Sequence, residues 1–172
     1  QAAPKLVSET PAAVTVDACE SIAHSALNFG LPKAIEKAKT VGISALSVVN
    51  AYHTLALGHF THAAAEQGLV AMMFSNAPKA QAPLGAKQKS FGTNPLSMAA
   101  PRPDGGVLLI DQASSAETKT KIEMCEQAGE PMPDGWAQTA DGQPTNDPAE
   151  GLAGSILPNG GTRGANIATM VE

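Results

Sequence analysis

The sequence predicts an α/β fold, and three features point to it. Over the first 75 residues, runs rich in β-branched residues alternate with segments whose apolar residues recur at helical spacing. Apolar residues make up 43% of the 172 and charged residues 16%, a balance that supports one domain with its own core and excludes a disordered chain. Glycine and proline then punctuate the middle of the chain, where turns and short strands replace longer elements.

Thr10-Pro11 disfavours helix, so the alternating stretch from Ala13 to Asp17 reads as a first strand. Leu31, Ala34, Ile35 and Ala38 share one helical face, Lys33, Glu36, Lys37 and Lys39 lie off it, and Gly42 ends that helix. Residues 43–49 return to strand character and residues 59–67 to helix, with Gly68 as the stop before a third strand from Leu69 to Phe74. From Asn76 to Pro103 the texture is loop-rich, which is where sites tend to lie.

Val107 to Ile110 is a four-residue apolar run, expected as a buried strand. The following helix is expected over about residues 115–127, with Ser114 and Glu117 at capping-box spacing. Residues 129–148 read as a long polar surface segment. Gly164 to Glu172 reads as the opening of a helix with no stop signal after it, and the first residue is Gln1, not Met. Both ends suggest a segment of a longer polypeptide.

Several function classes are excluded. A net charge of -5 with only 3% aromatics provides neither the basic field nor the stacking platforms that nucleic-acid binding uses. No apolar run reaches the length of a membrane span, and no secretory leader is visible. Cys19 and Cys125 are far apart and lack partners at metal-ligand spacing, which fits two reduced thiols in the cytoplasm and no metal site. Neither the glycine fingerprint of the usual dinucleotide fold nor a P-loop occurs.

Three places carry candidate chemistry. His53 follows a strand in Asn50-Ala51-Tyr52-His53, and an imidazole there suits proton exchange with an alcohol or carbonyl oxygen; taken alone, a histidine after a strand is more often a structural or surface residue. Asp111, Ser114 and Ser115 sit at a strand-to-helix junction that attracts phosphate or carboxylate, or that serves only as an N-cap. Gly160-Gly161-Thr162-Arg163-Gly164 opens a helix with small residues and an arginine able to pair with phosphate, or forms a plain flexible turn.

Five stretches occur in order: Gly92-Thr93-Asn94-Pro95; Leu109-Ile110-Asp111 with Ala113-Ser114-Ser115; Gly129-Glu130-Pro131 with Pro133 and Gly135-Trp136; Asp141-Gly142 with Pro144-Thr145 and Asp147-Pro148; and Leu157-Pro158 with Gly160-Gly161. Together they resemble the type-2 malate/L-lactate dehydrogenase family, and the similarity runs from about Glu9 to Glu172. The resemblance implies a non-Rossmann nicotinamide-binding domain, a mainly antiparallel mixed sheet flanked by helices, filling residues 1–172 of a longer two-domain chain. It also implies NAD or NADP as cofactor, a small 2-oxo/2-hydroxy acid or cyclic imino acid as substrate, and a homodimer.

Family members carry Asn-Ser-Asn-His-Phe-Gly before a helix that closes on Glu-Gln-Gly. Counting back from Glu66-Gln67-Gly68 places the active-site histidine on His53 without a gap, and leaves His24, His59 and His62 as packing or surface residues. By the same matching, Ile110, Asp111, Gln112, Ala113, Ser114, Ser115 and Ala116 correspond to one dinucleotide contact, and Arg163-Gly164 to a second. Asn76, Thr93 and Asn94 correspond to the substrate and nicotinamide end.

The chain departs from the pattern in places. Thr54-Leu55 stands where the family has Phe-Gly, Gln112 where it has Met, and Arg163 where it has Lys. The family's Ser-His-Gly, which supplies a second catalytic histidine beside an arginine for the substrate carboxylate, does not occur among these residues. A non-catalytic nucleotide- or metabolite-binding module derived from the family is therefore the alternative reading.

Overall fold

The computed structural model describes residues 3–172; Gln1, noted above as the first residue, lies outside them. The chain forms two compact units, residues 1–73 with 97–110 and residues 74–96 with 111–172.

The first unit opens with β1 (Lys5–Glu9), β2 (Ala13–Ile22), α1 (Ala23–Val41), β3 (Ala45–Tyr52) and α2 (Gly58–Ala65). Sheet order is β1-β2-β3, with β1 antiparallel to β2 and β3 parallel to it, so β2-α1-β3 is a crossover unit. Its core is Val14, Val16, Ala18 and Ala26, extended by Ala23, Leu27 and Phe60. Strand β1 has no counterpart in the sequence reading, and all five of its residues are exposed.

Helix α1 begins eight residues before the stretch that periodicity singled out. Gly30 and Pro32 interrupt the pattern, since both disfavour a helix interior. Gly30 lets α1 approach the sheet closely: a Cβ would lie 2.5 Å from Leu46 Cδ1 and 3.1 Å from Val16 Cγ2, so a larger residue would require those side chains to shift. The helix ends at Gly42 in the left-handed conformation, as expected.

A second sheet has the order β4 (Ala71–Phe74), β5 (Leu96–Pro101), β6 (Val107–Gln112). The run expected to be buried is in β6 but is open: Leu108, Leu109 and Ile110 are 53%, 43% and 44% exposed. As an edge strand β6 is bonded on one side only, so an apolar run does not by itself secure burial.

The second unit adds α3 (Lys119–Ala128), β7 (Ala137–Gln138), β8 (Pro144–Thr145), α4 (Pro148–Ala153), β9 (Ser155–Ile156) and α5 (Thr162–Val171). A third sheet, in the order β8-β7-β9, is antiparallel throughout. The segment 129–148 is not simply surface. Met132 and Ala137 from it are buried with Ala80, Ile122 and Ile156, and Trp136 packs on the same cluster. Asp147 caps α4 by accepting from the Ala149 and Glu150 N–H groups, with Pro148 at the first helical position.

Helix α3 starts four residues later than expected, and its cap is Thr118, which accepts from Lys121 N–H. Ser114 does not cap it: its hydroxyl and its N–H both donate to Thr93 C=O. Among the described residues, no helix is long and apolar enough to cross a membrane.

Candidate active site

In the first unit, strand β3 carries the chain to Tyr52, three residues further than the sequence suggests, and His53 is the first residue beyond it. Pairing of β2 with β3 is broken once: Asp17 faces Val49 and Ser21 faces Ala51, so three residues of β2 oppose Asn50 alone. Asp17 organises this bulge, its Oδ1 accepting from Cys19 N–H (2.7 Å) and Asn50 Nδ2 (3.2 Å). Pairing then resumes in register through Ile22 and Tyr52, which fixes where His53 leaves the sheet.

The His53 side chain is exposed. Its carbonyl accepts from Ala23 N–H at 3.4 Å, and the next carbonyl, that of Thr54, accepts from His24 Nε2 at 2.8 Å. The segment turns at Leu55, which has φ of 60° and is 75% exposed, before Leu57 and Phe60 go into the core. His24 stacks on His59 with ring centroids 6.1 Å apart and meets the Phe60 ring edge-on at 5.0 Å. Sequence matching gave His24 and His59 no part in the site; a contact across 30 residues leaves no local signal.

In the second unit, the matched residues meet in one hydrogen-bonded knot. Asn94 is fully buried: its Oδ1 accepts from Ala77 N–H (3.2 Å) and its Nδ2 donates to Ala168 C=O in α5 (3.0 Å). Thr93 C=O accepts both the hydroxyl and the N–H of Ser114, while Ser114 C=O accepts from Asn159 N–H. Gly164 is wedged against this strut, where a Cβ would fall 2.3 Å from Ser114 O and 2.5 Å from Asn159 N. Asn76, on the exposed side, donates from Nδ2 to Glu172 Oε2 at 2.8 Å.

The segment 110–116 divides by exposure. Ile110, Asp111 and Gln112 are open, Ala113 and Ala116 are half-buried, and Ser114 and Ser115 are buried. Because α3 begins only at Lys119, the helix-terminus argument for a phosphate at Ser114 and Ser115 does not apply; Ser115 instead bridges Pro158, and Ala116 N–H donates to Leu157 C=O. Glu117 beyond it is drawn two ways. Burial pushes its carboxyl up, but the Thr118 N–H and Lys121 outweigh that and hold it below the usual range.

Arg163 is exposed in the first turn of α5, behind the N-cap Gly161, which offers no side-chain cap. Among the described residues, no group of three or more His, Cys, Asp or Glu side chains is placed to hold a metal ion.

The mixed α/β fold of small sheets and helices has counterparts among solved structures. The fold is similar to that of Δ1-piperideine-2-carboxylate reductase from Pseudomonas syringae pvar. tomato, with a TM-score of 0.92 and 36% identity over 98% of this chain and 51% of that one. The chain belongs to the malate/L-lactate dehydrogenase family, whose model matches residues 1–172.

Relatives include the (2R)-3-sulfolactate dehydrogenase (NADP(+)) of Chromohalobacter salexigens, 41% identical over 92% of this chain and 48% of the relative. The Delta(1)-pyrroline-2-carboxylate reductase of Ancylobacter novellus is 41% identical over 99% of this chain and 50% of the relative. The chain thus spans about half the length of the curated relatives it matches.

Proposed function

We propose that the full-length polypeptide is an NAD- or NADP-dependent oxidoreductase that interconverts a 2-oxo acid or cyclic imino acid with the corresponding 2-hydroxy acid or amine. The observation that carries this is His53: an exposed imidazole at a register-fixed exit from β3, in a chain 41% identical to a sulfolactate dehydrogenase and to an imino acid reductase. The nicotinamide, when bound, supplies or accepts the hydride. His53 holds or receives the proton that the substrate oxygen or nitrogen exchanges.

The donor set of the second unit suits an anionic dinucleotide. Arg163 is an exposed guanidinium with a planar fork for phosphate oxygens, in a helix turn without a side-chain cap. Asp111 and Gln112 offer polar side chains at the exposed end of β6. Ser114, Ser115, Asn94 and Gly164 are buried and engaged with the protein, so we assign them to shaping the segments that carry the contacts. Thr93 and Asn76 remain the candidates for the substrate end. We read residues 1–172 as one non-Rossmann cofactor-binding region of a longer two-domain chain.

Two unpaired thiols, Cys19 and Cys125, fit a reducing cytoplasm, and the open apolar strand β6 fits a surface covered in a homodimer. The test is turnover by the full-length protein with NADH or NADPH and a panel of 2-oxo acids and cyclic imino acids, followed at the reduced-nicotinamide absorbance. His53→Ala should lower kcat by about 10²–10⁴-fold. Cofactor binding without turnover of any panel member would instead make the chain a non-catalytic binding module.

A further inference from the structure

We propose that His24 is a positioning residue for His53, acting as a clamp on the carbonyl of Thr54; this rests on the role proposed above for His53. A carbonyl oxygen can only accept, so in the 2.8 Å contact Nε2 of His24 carries the proton and donates it. Three groups fix the donor ring. His59 lies parallel to it within 4°, Phe60 meets it edge-on at 80°, and the backbone of His24 is in the first turn of α1. Phe60 is itself buried against Ala23 and Leu27, so the clamp is anchored in the core.

What the clamp holds is unusual. Leu55, next in the chain, has φ of 60°, a left-handed conformation that clashes for a branched side chain and that glycine adopts freely. The side chain is 75% exposed, so its own packing does not compensate for the strain. Such a conformation persists only when its surroundings over-determine it, and the ties here are two consecutive carbonyls. His53 C=O takes the N–H of Ala23 and Thr54 C=O takes the ring of His24.

The reciprocal benefit is to α1. Its N-cap, Ile22, offers no side-chain acceptor, so the His53 carbonyl satisfies a donor that would otherwise be buried and unpaired at Ala23. Helix start and histidine loop therefore hold each other. A loop fixed at residues 53 and 54 presents the His53 imidazole in a narrow range of directions, which proton exchange requires.

Two substitutions separate the clamp from packing. His24→Phe keeps a ring against His59 and Phe60 but has no donor, whereas His24→Gln keeps an N–H donor. In the full-length protein, His24→Phe should lower kcat by about tenfold or more while leaving the KM for reduced nicotinamide unchanged. The Ala23 amide, which donates to the His53 carbonyl one residue before the clamp, should exchange about five- to tenfold faster. His24→Gln should recover most of both losses.

Leu55→Gly gives the second measure. With the strain removed the loop needs less holding, so the kcat loss from His24→Phe should be smaller in that background; equal losses in the two backgrounds would mean that His24 only packs. Unchanged kcat and exchange in His24→Phe overturn the clamp, as does faster exchange without loss of kcat. An inactive parent protein removes the role of His53, whereas the exchange measurement still tests the tie from His24 to Thr54.

Discussion

The two regions that carry the candidate residues are held in opposite ways. In the second unit, Thr93, Asn94, Ser114, Asn159, Gly164 and Ala168 are tied by buried and half-buried hydrogen bonds, and the polar atoms of Asn94 and the Ser114 hydroxyl are spent on main-chain partners. In the first unit, residues 53–55 lie at the surface on two contacts from the start of α1, with a leucine in a left-handed conformation. In the knot, a lost side chain reports on folding before it reports on chemistry; at His53, a lost side chain reports on chemistry alone.

The sharpest way to break this contrast is at Gly164. A Cβ there meets backbone atoms at 2.3, 2.5 and 2.6 Å, none of which belongs to a flexible side chain. Gly164→Ala should therefore destabilise by about 3 kcal/mol, the upper end of ordinary overpacking costs. Chemical denaturation should show it as a lower midpoint, and a midpoint like the parent's would mean that the strut between Ser114 and Asn159 is loose.

Asn94→Ala comes next. It leaves the Ala77 N–H without its partner and the Ala168 C=O with the Glu172 N–H alone, at an expected cost of about 1–3 kcal/mol. His53→Ala under the same denaturation should shift stability by no more than about 0.5 kcal/mol, because an exposed side chain is removed. Equal losses at the two positions would mean that the two regions are held alike.

The same difference governs how much was legible in the sequence. Alternation of strand and helix, the stop at Gly42 and the exit of His53 from a strand all depend on local pattern, and all three are visible in the residue order. What stayed hidden depends on distant partners. Ser114 and Thr118 both have cap chemistry, and the choice falls to Thr118 because Thr93, twenty-one residues away from Ser114, claims the Ser114 hydroxyl. Met132 and Ala137 look like loop residues until Ile122 and Ile156 are folded onto them. The apolar run in β6 predicts a strand correctly, but whether a strand is central or at an edge is a property of its neighbours.

The smallest effect distinguishes the two regions most directly, because one substitution to glycine should have opposite signs in them. Leu55 and Asn94 both have positive φ, 60° and 31°. At Leu55, glycine removes a left-handed strain of roughly 1–2 kcal/mol and adds back roughly 0.5–1 kcal/mol of unfolded-chain entropy, since no side-chain bond is lost. Leu55→Gly should therefore stabilise by about 0.5–1 kcal/mol, or about 1–4 °C in thermal midpoint for a chain of this size. At Asn94, the same relief is outweighed by the two side-chain hydrogen bonds lost, so Asn94→Gly should destabilise. The first variant places a glycine where the backbone already has a glycine's conformation. A lower thermal midpoint for Leu55→Gly would show that the leucine, not the clamp beside it, holds the turn.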